Sequence, residues 1–300
     1  AGASAEMQAE LPPSSVPNWP AFMTGKNAAR HGCPWWLQRD AAGRLDRVPI
    51  DSHSVQGDTL WSYASAHGKK VIVQNVPVTY PVEPVNGVLV SGLLTPRSAQ
   101  DFVYPPELKP QLDAAVGGYK IYPDGGYARG REQAFLDALL FHIRQHGQAA
   151  DWLLGSRPWD FFLLVLGPTD EGAHKYWHHL DPQHPLHKPE DAARFGDSIQ
   201  KMYAASDDVI GQLARHLNEN DTLIVMSDHG FGPVERFFLP NNWLLQQKYL
   251  HLKSSGISLL KRALFQAGFT PRNIYPLGNQ LLSLLGAGNG VRQKLDSARA

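Results

Sequence analysis

Two uninterrupted apolar runs limit what this chain can fold into. Residues 160–167 (DFFLLVLG) and 221–227 (DTLIVMS) show no polar residue at alternate positions in their centres. Runs of this length read as strands buried on both faces, the kind found in parallel sheets covered by helices. A third run, residues 69–76 (KKVIVQNV), is closed by Pro77 and reads the same way. Helical spacing separates these runs. Phe135, Leu136, Leu139, Leu140 and Ile143 repeat at intervals of three and four within 131–154, and Ile199, Met202, Val209, Ile210 and Leu213 do so within 195–217. Residues 59–67 read as a short helix ended by Gly68, and 259–267 and 280–285 as further helices. Alternation of helices with fully apolar strands specifies an α/β fold around a central, mostly parallel sheet.

Composition removes several classes of function. With 300 residues, 43% hydrophobic and 19% charged, the chain has enough apolar side chains for a large core and is not globally disordered. The 28 Lys and Arg balance the 28 Asp and Glu, and no long basic run occurs, so nucleic acid is not the expected partner. Cys33 is the only cysteine, which excludes an internal disulfide and a cysteine-based zinc cluster. A metal site would have to use carboxylates and some of the 13 histidines. No apolar run approaches the roughly 20 residues of a membrane-spanning helix. Nothing in the sequence reports the oligomeric state. The whole chain reads as a single partial domain over 1–300, with a Pro- and Gly-rich insertion or lid at about 77–128.

The residues with chemical potential stand directly after the two apolar runs. Asp170 and His174 follow the first, four residues apart, so one helical turn would place both on one face and let them share a metal. Asp228 and His229 follow the second, and a tight turn at Gly230 would let them converge. Ligands of open α/β sheets bind outside the carboxyl ends of the strands, so both pairs are expected to face one crevice. Near the start, Ser14 or Ser15 opens a helix that has Pro17 in its first turn and stops at Thr24-Gly25. A hydroxyl at such an end faces free N–H groups, an environment suited to phosphate. Residues 1–14 and most of 32–58 read as loop. His178, His179, His184 and His187 read as solvated loop histidines. Trp35, Trp36, Trp61 and Tyr80 read as packing residues, Cys33 as a small buried residue, and Asp207 and Asp208 as the polar face of a helix.

Four stretches taken together resemble a known family. They are PPSSVPNWPAFMTGKNAARHG, the region from TLW through GKKVIVQNVPVTYPVEPVNGVLVSG, the D-x-x-x-H of Asp170 and His174, and VMSDHGFGP. In this order they are similar to the type I phosphodiesterase/nucleotide pyrophosphatase family of the alkaline phosphatase superfamily, over about residues 10–250. The resemblance implies an alkaline-phosphatase-like three-layer sandwich. It implies a hydrolase of small phosphoesters: phosphodiesters, nucleotide pyrophosphates or phosphomonoesters. It also implies two divalent metal ions, zinc or alternatively manganese. On that pattern Ser15 matches the nucleophile and Asn18 the amide that holds a phosphoryl oxygen. Asp170 and His174 match ligands of one metal, and Asp228 and His229 ligands of the other. The sulfatases of the superfamily carry C/S-x-P-x-R at the nucleophile, and Trp19 stands here in place of that Arg. Phosphonate hydrolases and metal-dependent phosphomutases share the same metal core.

The chain departs from the family pattern twice. No Asp-Gly closes a first strand within 1–14, and no histidine follows His251. The expectation is a fragment that lacks the first strand and the C-terminal segment, is incomplete at both ends of the fold, binds metal weakly and has little activity alone. The other expectation is a non-catalytic binding protein that kept the fold.

Overall fold

The computed structural model of the chain describes residues 2–39, 42, 44–234, 238–251, 255, 256, 258–260 and 263. Two compact units are distinguished, Ala1–Pro233 and Val234–Ala300. The first carries, in order, helices α1 (Ser15–Thr24) and α2 (Ala28–His31), strands β1 (Leu37–Arg39) and β2 (Leu45–Pro49), helix α3 (Leu60–Ala66), strands β3 (Val71–Val76), β4 (Gly87–Ser91) and β5 (Val103–Tyr104), helices α4 (Leu108–Val116) and α5 (Glu132–Ser156), strand β6 (Phe161–Leu164), and helices α6 (Pro168–Leu180), α7 (Pro189–Phe195) and α8 (Ser198–Leu213). The second contributes α9 (Pro240–Gln246). The helix expected at 280–285 lies outside the described residues, as does most of 259–267.

The central sheet has the order β5-β4-β3-β6, with β4, β3 and β6 parallel and β5 antiparallel at one edge. Strands β1 and β2 form a separate antiparallel pair. β3 is central: its valines and Ile72 are apolar on both faces, and all six of its residues, Gln74 and Asn75 included, are buried. Val71 and Val73 point into one core with Val16, Trp19, Met23 and Trp61, from α1 and α3. Ile72 points the other way, into a core with Val88 and Val90 from β4 and Leu108, Leu112, Ala149 and Leu153 from α4 and α5. The alternation is the period-two pleat expressed as two layers of helix around one sheet. A third core joins α5, α6, α7 and α8 through Phe135, Leu139, Tyr176, Phe195 and Met202. The mixed α/β architecture with a mostly parallel sheet is therefore present.

Local signals explain most boundaries. Thr59 caps α3 in a reciprocal capping box with Ser62, so the helix expected over 59–67 begins one residue later. Gly25 ends α1 in the left-handed conformation, its N–H donating to the Ala21 carbonyl. The helix expected over 195–217 is instead two: α7 ends at Phe195 and α8 starts at Ser198, with a 3-10 turn at Ala214–His216. Asp207 and Asp208 are exposed on α8, as their spacing suggested.

Three expectations need correction. The stretch 77–128 is not simply irregular, because it supplies β4, β5 and α4, and β4 is a buried strand of the main sheet. Its abundant Pro and Gly obscured the short apolar run that follows Gly87. Second, residues 221–227 do not form a strand. Leu223, Ile224 and Val225 are 53%, 75% and 67% exposed. Among the described residues no backbone hydrogen bond is made by residues 222–227. An apolar run becomes a strand only where a neighbour supplies hydrogen bonds, and no described segment is hydrogen-bonded through its backbone to 222–227. For the same reason β6, though equally apolar, is an edge strand and only half-buried. Third, His179 is buried inside the end of α6, with neither ring nitrogen hydrogen-bonded among the described residues, whereas His184 and His187 lie in the loop as expected. Trp61 and Cys33 are buried as expected, and Trp35 is exposed instead.

At the carboxyl end of β3 the backbone bulges. Asn75 takes a left-handed φ of 63° where the register with β4 shifts, a conformation that asparagine tolerates better than most residues. Gly92 lies so close that a Cβ there would fall 2.0 Å from the Asn75 carbonyl oxygen. The Asn75 side chain organises a buried polar network. Its Oδ1 accepts from the Tyr119 hydroxyl at 2.5 Å and its Nδ2 donates to His146 Nδ1 at 2.8 Å. His146 Nε2 donates to the Lys120 carbonyl at 3.0 Å. One nitrogen accepts and the other donates, so the neutral imidazole satisfies every partner. Burial, with His142 beside it, pushes its pKa down to about 3. The sign of the linkage follows. Unfolded histidine takes a proton near pH 6.5, and the folded one does not until about 3. This contribution to stability is full above pH 6.5 and is lost as pH falls from there towards 3. His146→Gln is expected to flatten the fall of the thermal midpoint between pH 7 and 4. Equal slopes for the two proteins would remove His146 as a cause of acid sensitivity.

Candidate active site

Three segments far apart in sequence meet at the carboxyl edge of the sheet. The first is the start of α1. Ser14 occupies the N-cap position without a side-chain cap bond, because its Oγ accepts from the Trp36 indole N–H at 3.0 Å. Ser15, the next residue, has its Oγ 3.2 Å from His229 Nε2. Neither hydroxyl therefore serves as a simple helix cap.

The second segment is the loop leaving β6. Pro168 starts α6 with Asp170 and Glu171 in its first turn, where acidic groups suit the positive helix end. Ala173 and Tyr176 anchor this helix in the third core, and the Tyr176 hydroxyl donates to the Glu132 carbonyl at 2.6 Å. Asp170 and His174 project from its more open side, one turn apart as the spacing required. His174 Nε2 is 3.6 Å from Asp170 Oδ2, with the two side chains 59% and 40% exposed.

The third segment is Asp228 and His229. Ser227 Oγ donates to the His229 carbonyl at 2.7 Å, which closes the turn. His229 Nδ1 is 2.9 Å from the Gly230 carbonyl. A carbonyl only accepts, so Nδ1 carries the hydrogen and the neutral ring presents a lone pair at Nε2. That lone pair faces Ser15 Oγ, which donates to it. It also lies 3.4 Å from Asp228 Oδ2 and 3.9 Å from Asp170 Oδ1.

The electrostatics of this convergence are unbalanced. Asp170 Oδ1 and Asp228 Oδ2 are both buried without a hydrogen-bond partner among the described residues. Burial raises the pKa of Asp228, and the nearby Asp170 adds to the effect. Burial also raises the Glu171 carboxyl, opposed by Arg97 and Lys175. Two orphaned carboxylate oxygens and an imidazole lone pair in one place form an electron-rich locus that lacks a positive charge. Oxygen and imidazole donors of this kind suit zinc, and the Nδ1 bond to Gly230 is the outer contact that orients a metal-binding histidine. Among the described residues no group of three or more His, Cys, Asp and Glu is arranged to hold a metal ion. The donor chemistry fits a divalent cation, and the finished coordination shell is not formed.

Asn18 is placed differently from the others. It is buried, and its Nδ2 donates to the carbonyls of Ser14 at 2.8 Å and Glu10 at 3.3 Å, while Oδ1 accepts from Glu10 N–H at 2.6 Å. Its amide holds the segment before Ser15 in place. Phe231 follows the Asp228–His229 pair, and its ring centroid lies 4.8 Å from that of His174, a contact that neither spacing nor periodicity signals.

The family model for type I phosphodiesterase / nucleotide pyrophosphatase matches residues 1–281. The chain belongs to this family. It is a phosphodiesterase/nucleotide pyrophosphatase-type hydrolase, and the mostly parallel sheet flanked by helices agrees with the alkaline-phosphatase-like fold. Small-molecule phosphoesters are the substrates that fit such an enzyme, and the family is generally metal-dependent. No curated protein matches the chain. No helix among the described residues is long and apolar enough to cross a membrane.

Proposed function

We propose that the chain hydrolyses phosphoesters through Ser15 as nucleophile, with Asp170 and His174 holding one divalent cation and Asp228 and His229 a second. The observation that carries this reading is the meeting of Ser15 Oγ, His229 Nε2 and two unpartnered carboxylate oxygens at one sheet edge. When bound, zinc or manganese at these donors supplies positive charge that lowers the pKa of a hydroxyl and steadies charge on the oxygens around phosphorus.

The chain's own residues do the rest. The first turn of α1 offers free N–H groups and its positive end to a phosphoryl group beside Ser15. In metal-free protein the hydrogen bond from Ser15 to His229 Nε2 directs Oγ towards the donors, and a cation on that nitrogen would take the place of the hydrogen. The Ser15 hydroxyl gives up its proton to solvent, Oγ bonds to phosphorus as the bond to the leaving oxygen breaks, and the leaving group departs with the electron pair and takes a proton from water. Water then cleaves the phosphoryl-serine and restores the hydroxyl. Asn18 steadies the backbone before Ser15. Its weaker bond, to the Glu10 carbonyl at 3.3 Å, is the one it would release to reach a phosphoryl oxygen.

The test is metal removal and return. Protein stripped by a chelator is assayed on p-nitrophenyl phosphate and bis(p-nitrophenyl) phosphate, then again with zinc or manganese added. Hydrolysis should be absent from stripped protein and restored by the metal, with the diester favoured. Hydrolysis that survives complete stripping would overturn the metal assignment. Metal uptake without cleavage of either ester would direct the search to phosphonates or phosphoryl-transfer reactions.

A further inference from the structure

The loop carrying Asp228 and His229 is not held by the sheet. Among the described residues the preceding segment, 222–227, makes no backbone hydrogen bond. The position of the loop must therefore come from side chains. One contact is Ser15 with His229. A second is Phe231. Its ring meets the His174 imidazole edge to face, with centroids 4.8 Å apart at 81°. It also packs against Trp177, at 5.4 Å and 36°. His174 and Trp177 lie one turn apart on α6, so Phe231 sits in the notch between them. In this way it bridges the two elements that carry the four candidate metal donors.

We propose that Phe231 is a positioning residue that sets the orientation of the His174 imidazole and the separation of the Asp170–His174 pair from the Asp228–His229 pair. The proposal rests on the reading of those four residues as metal donors. The physical need is clear from exposure. The His174 side chain is 59% exposed and approaches Asp170 no closer than 3.6 Å, so its own helix does little to restrict the ring. An edge-to-face aromatic contact favours one ring orientation by about two- to twelve-fold. Removing the phenyl ring also frees the loop from Trp177, so the two donor pairs lose their fixed spacing together. Outer contacts that orient metal ligands change affinity by about 10- to 100-fold, and a single ring contact belongs near the lower end.

The experiment uses the full chain as wild type, Phe231→Ala and Phe231→Tyr. Zinc is titrated calorimetrically into chelator-stripped protein. The imidazole resonances of His174, assigned with His174→Gln, are recorded without metal. Phe231→Ala should bind zinc about ten-fold more weakly and shift the His174 resonances, as the ring current of Phe231 is lost. Phe231→Tyr should restore both to near wild-type values. Phe231 is 37% exposed, so the thermal midpoint should hold in all three proteins. Unchanged zinc affinity in Phe231→Ala, or unchanged His174 resonances, would overturn the proposal. So would a tyrosine variant as impaired as the alanine one. A wild type that takes up no zinc would overturn the metal reading alone, and the His174 resonances would then decide the role of Phe231.

Discussion

Ser15→Ala should lower phosphodiester turnover by about three to five orders of magnitude while leaving the fold intact. Loss of a nucleophile has effects of this size because binding and electrostatic stabilisation persist but the covalent route does not. The fold should tolerate the change for reasons visible in its contacts. Ser15 is half-buried, and its hydroxyl bonds His229 and caps no helix end, since the N-cap position belongs to Ser14. The thermal midpoint should therefore stay within a degree or two, because a surface-type change of this kind is worth about 0.5 kcal/mol or less. Turnover and melting measured on the same preparation separate the two effects. Near-normal activity in the variant would remove Ser15 from the mechanism. Ser14 would be tested next, although its Oγ is already engaged by Trp36.

Asp228→Asn carries the second large effect, and its sign differs between metal-free and metal-loaded protein. Asp228 is half-buried, its buried Oδ2 has no hydrogen-bond partner among the described residues, and burial works against its charge. A buried unpaired carboxylate costs stability unless a cation or a donor compensates it. Without metal, the neutral amide should leave the thermal midpoint unchanged or raise it by a degree or two. With zinc present, wild type should gain stability by mass action and the variant should gain little. Zinc affinity should fall by about 100-fold or more, and turnover should fall with it, by about 1000-fold. The crossing of the two melting curves on adding zinc is the diagnostic feature. If Asp228→Asn lost stability equally with and without zinc, the carboxylate would be a structural group and not a metal donor.

Much of the scaffold was legible because it depends on short-range pattern. Helix α5 declared itself through Phe135, Leu136, Leu139 and Ile143, all of which are buried. Strand β3 declared itself through the apolar start Val71, Ile72 and Val73, buried on both sides. The pairing of Asp170 with His174 followed from helical spacing, and helix α6 duly carries both. Strand β4 was hidden because the Pro- and Gly-rich sequence around it drowned a run of a few apolar residues.

What the sequence by itself determined was the α/β class, the main helices and the two Asp/His pairs, since each is written in residues a few positions apart. Only the tertiary structure decided which apolar runs found partners. The run 160–167 pairs with β3, while among the described residues 221–227 has no strand partner and its apolar centre is exposed. Hydrogen-bond partners for a strand come from elsewhere in the chain, and composition carries no record of them. The same holds at the site. The lone pair of His229 directed at Ser15, the two orphaned carboxylate oxygens and the seat of Phe231 between His174 and Trp177 all join residues distant in sequence. Such contacts arise only when the chain closes loops, and that requires the packed core that positions them.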